Sequence, residues 1–158
     1  MKLVTRPRAT ANPSHTAAVA GGVLVRNSPA SLLTRLQEWD YFLGISSAKR
    51  QQALYQGTLV AQGAFSAFKT SALRHCEGWP VVIGEDIVLT WKLLSKGFRV
   101  GYEPTALCFT NAPTGMSAFW RQRQRWARGM SEGLKRYGNL VWQGNLTGFF
   151  VAVDFVIP

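Results

Sequence analysis

Gly84-Glu85-Asp86-Ile87-Val88-Leu89-Thr90-Trp91-Lys92-Leu93-Leu94-Ser95-Lys96-Gly97-Phe98-Arg99-Val100-Gly101-Tyr102 holds a helix, its stop and a strand in one run. Glu85 and Asp86 stand where the free N–H groups and dipole at a helix start favour acids. Ile87, Val88, Trp91, Leu94 and Leu93 recur at helical spacing and are expected to pack inward. Gly97 supplies the left-handed residue that ends the helix. Phe98 to Tyr102 then reads as a strand ending at Glu103-Pro104, with a second short apolar strand from Ala106 to Phe109.

Working outward, Ala17 to Val25 reads as a buried strand whose Gly21-Gly22 pair marks a bulge. Ser31 caps a helix carrying Leu32, Leu33, Leu36 and Trp39 at helical spacing. Residues 51–62 are polar with apolar interruptions and give no assignment. Gly63 to Lys69 is a small-residue strand or turn, and the short helix from Ser71 is broken by Gly78-Trp79-Pro80. Helices alternating with strands predict an α/β fold, a sheet with helices packed on it. The strands are too few for a complete doubly wound nucleotide domain. No internal repeat or low-complexity segment is present.

At 158 residues the chain can bury one core. A hydrophobic fraction of 47% against 16% charged excludes a disordered chain and fits a globular or membrane-associated one. A net charge of +10 points to phosphate-bearing partners: nucleotides, nucleic acid or anionic lipid. Cys76 and Cys108 lie far apart in no CxxC spacing, which suggests neither a zinc site nor a disulfide framework. The first residues carry no apolar signal-peptide core. At the other end, Leu146 to Pro158 is apolar except for Thr147 and Asp154, shorter than the roughly 20 residues of a membrane helix. It reads as a core helix or as the start of a membrane span, and the cations before it fit a cytoplasmic flank.

Those cations gather around a second motif, Gln122-Arg123-Gln124-Arg125-Trp126. Arg121, Arg123, Arg125, Arg128, Lys135 and Arg136 accompany a single carboxylate, Glu132. Thr114 or Ser117 is expected to cap this helix, which continues to about Tyr137. Gln122, Arg125 and Trp126 stand at i, i+3 and i+4 and so share a face. An amide reads hydroxyls, a guanidinium forks onto phosphate oxygens and an indole stacks on a flat apolar surface. A sugar joined to a diphosphate would use all three. A tryptophan here also suits a core or a membrane interface, and a charge run also suits a solvated face. Asp86, ionised at a helix start, could take a proton from a hydroxyl nucleophile, although Glu85 and Asp86 also suit a first helical turn for electrostatic reasons alone.

Together the two motifs resemble the processive, membrane-embedded family 2 glycosyltransferases: cellulose, chitin, hyaluronan and poly-N-acetylglucosamine synthases. The Gln-(Gln/Arg)-x-Arg-Trp signature is complete at residues 122–126. The Thr-Glu-Asp triplet of that family is similar to Gly84-Glu85-Asp86, with glycine in place of threonine. Gly63 to Leu73 resembles the segment lining the acceptor site, and Val19-Ala20-Gly21-Gly22 the strand that starts this half of the domain. Poly-N-acetylglucosamine synthases look nearest. The resemblance covers roughly residues 17 to 158.

The resemblance implies a partial GT-A-type domain, the acceptor-side half, followed by an interfacial helix and the start of a transmembrane helix. Its divisions would be 1–16 (a poorly ordered N-terminal segment), 17–113 (the acceptor-side half), 114–137 (an interfacial amphipathic helix) and 138–158 (a truncated membrane segment). It implies an inverting, UDP-sugar-dependent hexosyltransferase that extends a β-linked polysaccharide. Asp86 would be its general base, and Glu85, Gln122, Arg125 and Trp126 would bind substrate. The implied place is the bacterial inner membrane, with the site on the cytoplasmic side. UDP-sugar, glycan acceptor and lipid bilayer would be partners, and nucleic acid is not expected. The family uses magnesium or manganese held by Asp-x-Asp, but Asp40, Asp86 and Asp154 are isolated here, so no metal ligands are assigned. The isolated chain is therefore expected to be inactive, with unpaired sheet edges and exposed apolar surface. Two other readings remain: a non-enzymatic basic module on anionic membrane or nucleic acid, and one half of a split enzyme with a separately encoded nucleotide-binding half.

Overall fold

The computed structural model describes residues 15–55 and 57–143. The tail after Gln143, expected to begin a membrane span, and residues 1–14 lie outside the described residues. No described helix is long and apolar enough to cross a membrane.

The sheet is built on β1 (Thr16–Val25), flanked antiparallel by β2 (Ser66–Phe68) and parallel by β3 (Arg99–Thr110). As the central strand, β1 is covered on both sides, which is why it reads as a run of small apolar residues rather than an alternation. Around it lie α1 (Leu32–Asp40), a π-helical turn (Tyr41–Ser47), α2 (Ala48–Tyr55), α3 (Thr70–His75), α4 (Glu85–Ser95) and α5 (Met116–Tyr137). The α/β expectation holds.

The two short strands expected at 98–102 and 106–109 are one strand, β3. Register passes from Gly21 opposite Glu103 to Gly22 opposite Leu107, so Pro104, Thr105 and Ala106 bulge out of the ladder. A proline without an N–H is tolerated at such a bulge. The bulge requires the glycine pair opposite it. A Cβ on Gly21 would stand 2.4 Å from the Phe65 ring and 2.7 Å from the Ala106 carbonyl oxygen. One on Gly22 would lie 2.8 Å from Leu107 Cδ2.

Ala17, Ala18, Ala61, Ala72, Cys76, Leu89, Leu93 and Val100 form one core between α3, α4 and the sheet. Val88, Trp91 and Leu93 are buried as expected, with Ile87 and Leu94 partly buried beside them. Gly97 ends α4 at φ 79°. Trp91, Leu59 and Leu140 form a second cluster that ties α4 to the end of α5. Trp91 also donates its Nε1–H to the Leu59 carbonyl, 3.1 Å away, so its burial leaves no polar atom unmet.

One local expectation is corrected and another is refined. Neither Thr114 nor Ser117 caps α5: Gly115 does, without a side-chain bond. Ser31 does cap α1, in a reciprocal pair with Thr34, but the buried residues of that helix are Thr34 and Gln37. Leu32, Leu36 and Trp39 face outward, exposed at 73%, 58% and 61%. Gln37 turns inward because its amide donates to the carbonyls of Leu33 and Pro113.

Candidate active site

Asp86 sits in the first turn of α4, half-buried, with both carboxylate oxygens held by backbone N–H groups. Ile87 N donates to Oδ1 at 2.9 Å and Gly63 N donates to Oδ2 at 3.1 Å. The second bond crosses from another segment, and Thr90 makes it possible. The Thr90 hydroxyl donates to the Asp86 carbonyl at 2.6 Å and accepts from Ala61 N at 2.9 Å. Thr58 N bonds to the Val100 carbonyl at 2.7 Å, which anchors the other end of that segment to β3. Each carboxylate oxygen still has lone-pair capacity toward the open side. A Cβ on Gly63 would stand 3.5 Å from Glu85 Oε1, so both acids of the doublet border the same backbone turn.

The pentad lies in α5, a helix as expected, and α5 meets α4 through glycine. Gly129 and Gly133, four apart, are its buried residues. Gly84, at φ 76°, caps α4 and presses its backbone on Gly129. A Cβ on Gly133 would meet Ile87 Cγ2 at 2.8 Å. This contact docks Arg125 and Trp126, one helical turn before Gly129, beside the end of α4 that carries Glu85 and Asp86. It also accounts for glycine where the family pattern has threonine.

The members of the pentad have different surroundings. Gln122 is half-buried and its side chain bonds to the Tyr41 phenol, while its Oε1 finds no donor. Trp126 is 37% exposed, with its ring 6.0 Å from Tyr41. Arg125 is exposed and has no carboxylate partner among the described residues. Arg123, absent from the sequence assignment, is the most heavily engaged. Its guanidinium lies 4.9 Å from the Phe119 ring and 4.5 Å from the Trp126 ring, and it pairs with Asp40. Phe119, Arg123 and Trp126 fall at i, i+4 and i+7, a spacing that could have revealed the stack. Burial pushes the Tyr41 phenol above its ordinary range, against the opposing pull of Arg123.

Sequence reasoning also missed Lys49, a buried lysine on α2. Among the described residues, the buried side-chain polar atoms left without a partner are Gln37 Oε1, Lys49 Nζ, Gln62 Oε1, Gln122 Oε1 and Arg123 Nε. Gln62 adjoins the Gly63 amide, and Gln122 and Arg123 belong to the pentad.

The divalent metal that the resemblance implies does not fit these residues. Among the described residues no three His, Cys, Asp or Glu side chains converge. Glu85 and Asp86 alone form the acidic pair beside the Gly63 turn among the described residues, one ligand short of such a cluster.

Residues 9–157 match glycosyl transferase family group 2, and the chain belongs to that family. It is similar to the poly-β-1,6-N-acetyl-D-glucosamine synthase of Staphylococcus aureus, 38% identical over 120 residues. That alignment takes in 75% of this chain and 29% of the synthase. The synthase of the same name from Staphylococcus epidermidis matches to the same extent. The chain thus spans under a third of the length of the curated relatives it matches. Among solved structures it resembles a mannosyltransferase from Pyrobaculum calidifontis in complex with GDP-Man and Mn2+. The TM-score is 0.55 at 20% identity, covering 79% of this chain and 32% of that one. The fold is therefore that of a GT-A glycosyltransferase.

Proposed function

We propose that this chain forms the acceptor side of a membrane-bound polysaccharide synthase that transfers a sugar from a UDP-sugar to a growing β-linked glycan with inversion. One observation carries the reading: an aspartate fixed by two backbone N–H groups stands where α4 meets the Gln122–Trp126 helix through Gly84 and Gly129. The 38% identity to poly-β-1,6-N-acetyl-D-glucosamine synthases favours N-acetylglucosamine as the sugar.

In this mechanism Asp86 takes the proton of the acceptor hydroxyl as its oxygen attacks the anomeric carbon and the bond to the diphosphate breaks. Two fixed N–H donors hold the carboxylate in one orientation, so no reorganisation is needed when the hydroxyl arrives. Arg125, with no carboxylate partner among the described residues, offsets charge on the leaving diphosphate, and Trp126 and Gln122 contact the sugar end of the polymer. Glu85 borders the same turn and contributes to substrate binding. Magnesium or manganese, where used, would be held by carboxylates outside this sequence, in a nucleotide-binding half that is part of the same protein or separately encoded. Exposed Met116 and Trp120 together with exposed Arg121, Arg125 and Arg128 support α5 lying along the cytoplasmic surface of a bacterial inner membrane.

The test is Asp86→Asn in a protein that joins this segment to a nucleotide-binding half. Transfer is expected to be abolished while nucleotide-sugar binding persists. Retained transfer would remove Asp86 from the mechanism. A purely basic binding module would instead show steeply salt-dependent binding to anionic vesicles or nucleic acid, unchanged by Asp86→Asn.

A further inference from the structure

Asp40, the last residue of α1, reaches across to α5 and pairs with the Arg123 guanidinium. The two lie 83 positions apart in the chain. Among the described residues this carboxylate is the ion-pair partner that Arg123 has. Beyond it the guanidinium lies over two rings of its own helix, 4.9 Å from the Phe119 centroid and 4.5 Å from that of Trp126. Asp40, Arg123 and Trp126 thus form a line of contacts that runs from α1 to the indole.

The foot of that line is held still. The Asn27 side-chain amide donates to the Ala112 carbonyl at 2.9 Å and accepts from Ala112 N at 2.8 Å, tying the end of β1 to the turn before α5. Gln37, one helical turn before Tyr41, donates to the Pro113 carbonyl of the same turn at 2.8 Å. Tyr41, next to Asp40, is buried with Val23, Val25 and Ala112, and its ring meets Trp126 at a tilt of 51°. The end of α1 therefore cannot slide along α5 without breaking these bonds.

The indole itself is less constrained. It has two side-chain torsions to fix, and 37% of Trp126 remains exposed. A cation over the ring restrains it, but that attraction is weak where the cation can swing out into water. A long arginine side chain keeps such a place only when its charge is anchored, since ordering it costs rotamer freedom. Asp40 supplies the anchor.

We propose that Asp40 is a positioning residue for Trp126, acting through Arg123: it pins the guanidinium on the indole so that the ring meets the acceptor sugar in one orientation. The inference rests on the reading of Trp126 as a contact for the sugar end of the polymer. A sugar that finds the ring already oriented loses no affinity to ordering it, so the effect falls on acceptor binding rather than on bond breaking. The two cations of the pentad then divide their tasks. Arg123, committed to Asp40, orients the aromatic surface, and Arg125 is left to the diphosphate.

The test reads the ring first. In the 158-residue chain carrying fluorotryptophan, the Trp126 signal is assigned by its loss in Trp126→Phe, and the fully buried Trp91 serves as reference. Asp40→Ala should shift the Trp126 signal and narrow its line as the ring gains freedom, with the Trp91 signal in place. Asp40→Glu, which keeps the charge, should return the Trp126 signal toward its parent position. An unmoved Trp126 signal in Asp40→Ala would overturn the inference. So would a Trp91 signal that moves with it, since that marks a general loosening of the fold.

The kinetic arm uses the protein joined to a nucleotide-binding half, with a short β-linked N-acetylglucosamine oligosaccharide as acceptor. Asp40→Ala should raise the acceptor KM about fivefold or more, while kcat and the donor KM stay within about twofold. A fall in kcat at unchanged acceptor KM, or a change confined to the donor KM, would overturn the role. Trp126→Ala separates this inference from the reading beneath it. If that variant leaves the acceptor KM unchanged, Trp126 is no sugar contact and both fall. If it raises the acceptor KM and Asp40→Ala does not, the positioning role of Asp40 falls alone.

Discussion

Gly84 and Gly129 meet backbone to backbone: a Cβ on Gly84 would stand 2.2 Å from the Gly129 Cα, and one on Gly129 would stand 2.7 Å from the Gly84 Cα. The contact joins the residue before the acidic doublet to the residue one turn past the pentad. Two motifs far apart in sequence become one site through the two places where no side chain can be accommodated.

Gly84→Thr, which would restore the residue usual in the family, should therefore destabilise this chain. The left-handed φ of 76° disfavours any β-branched residue, and the new Cβ has only backbone to displace. A loss of about 2–4 kcal/mol in urea unfolding is expected, combining strain and overpacking. Gly129→Ala should cost about 1–3 kcal/mol by the second effect alone. An unchanged midpoint in either variant would mean that the helices do not touch there.

Stability should rise with pH through the alkaline range because of Lys49. Unfolded, its amine holds a proton up to about pH 10.5, its ordinary value, whereas folded it releases the proton near 7. Between those values the unfolded chain binds more protons, so raising pH favours the fold. The Lys49 contribution to the slope is at most about 1.4 kcal/mol per pH unit. Denaturant unfolding at several pH values should show this slope in the parent chain and its loss in Lys49→Met.

Arg123 and Arg125, two positions apart, should separate structure from binding. Arg123→Gln removes the Asp40 pair and the contacts with Phe119 and Trp126, for an expected loss of about 1–2 kcal/mol and a change in tryptophan fluorescence. Arg125→Gln should leave stability within about 0.5 kcal/mol, since the side chain is exposed. In the protein joined to a nucleotide-binding half, however, it should raise the KM for the donor about tenfold or more, as expected for loss of a charged phosphate contact. The opposite pattern would reverse the two roles.

The isolated chain should neither turn over a UDP-sugar nor hold a divalent ion tightly. Its described residues bring no three potential ligands together. Calorimetry with manganese should show no saturable tight site, and incubation with UDP-N-acetylglucosamine and magnesium should release no UDP. Release that tracks the purified chain would contradict the assignment of nucleotide and metal binding to residues elsewhere.

Much of this was legible in the sequence because the decisive residues act locally. The start of α4 at Glu85 and its end at Gly97 follow from the residue's own charge or backbone preference, and the Gly21-Gly22 pair marked the bulge that β3 makes opposite it. The extent of the pentad helix follows from periodicity. What periodicity cannot say is which face is covered. On α1 the spacing of Leu32, Leu36 and Trp39 was correct, yet the capping hydroxyl of Thr34 and the amide of Gln37 took the inside. Pro104 suggested a strand end, but the partner strand offered glycines that let the ladder continue past it. Asp86 and the pentad stood out in the sequence because their residue types carry chemistry, and the contact of Gly84 with Gly129 brings their helices together. Lys49 was not, because a lysine in a polar stretch reads as solvent-exposed until the elements around it are known.

The Thr90 hydroxyl has one further consequence. A single oxygen joins the Asp86 carbonyl to the Ala61 amide, and two residues later the Gly63 amide grips the Asp86 carboxylate. The loop and the first turn of the helix thereby form a closed ring of bonds around the Asp86 carboxylate. Whatever shifts the loop carries the carboxylate with it. Thr90→Val would open that ring at its narrowest link and leave Asp86 free to turn independently of the loop.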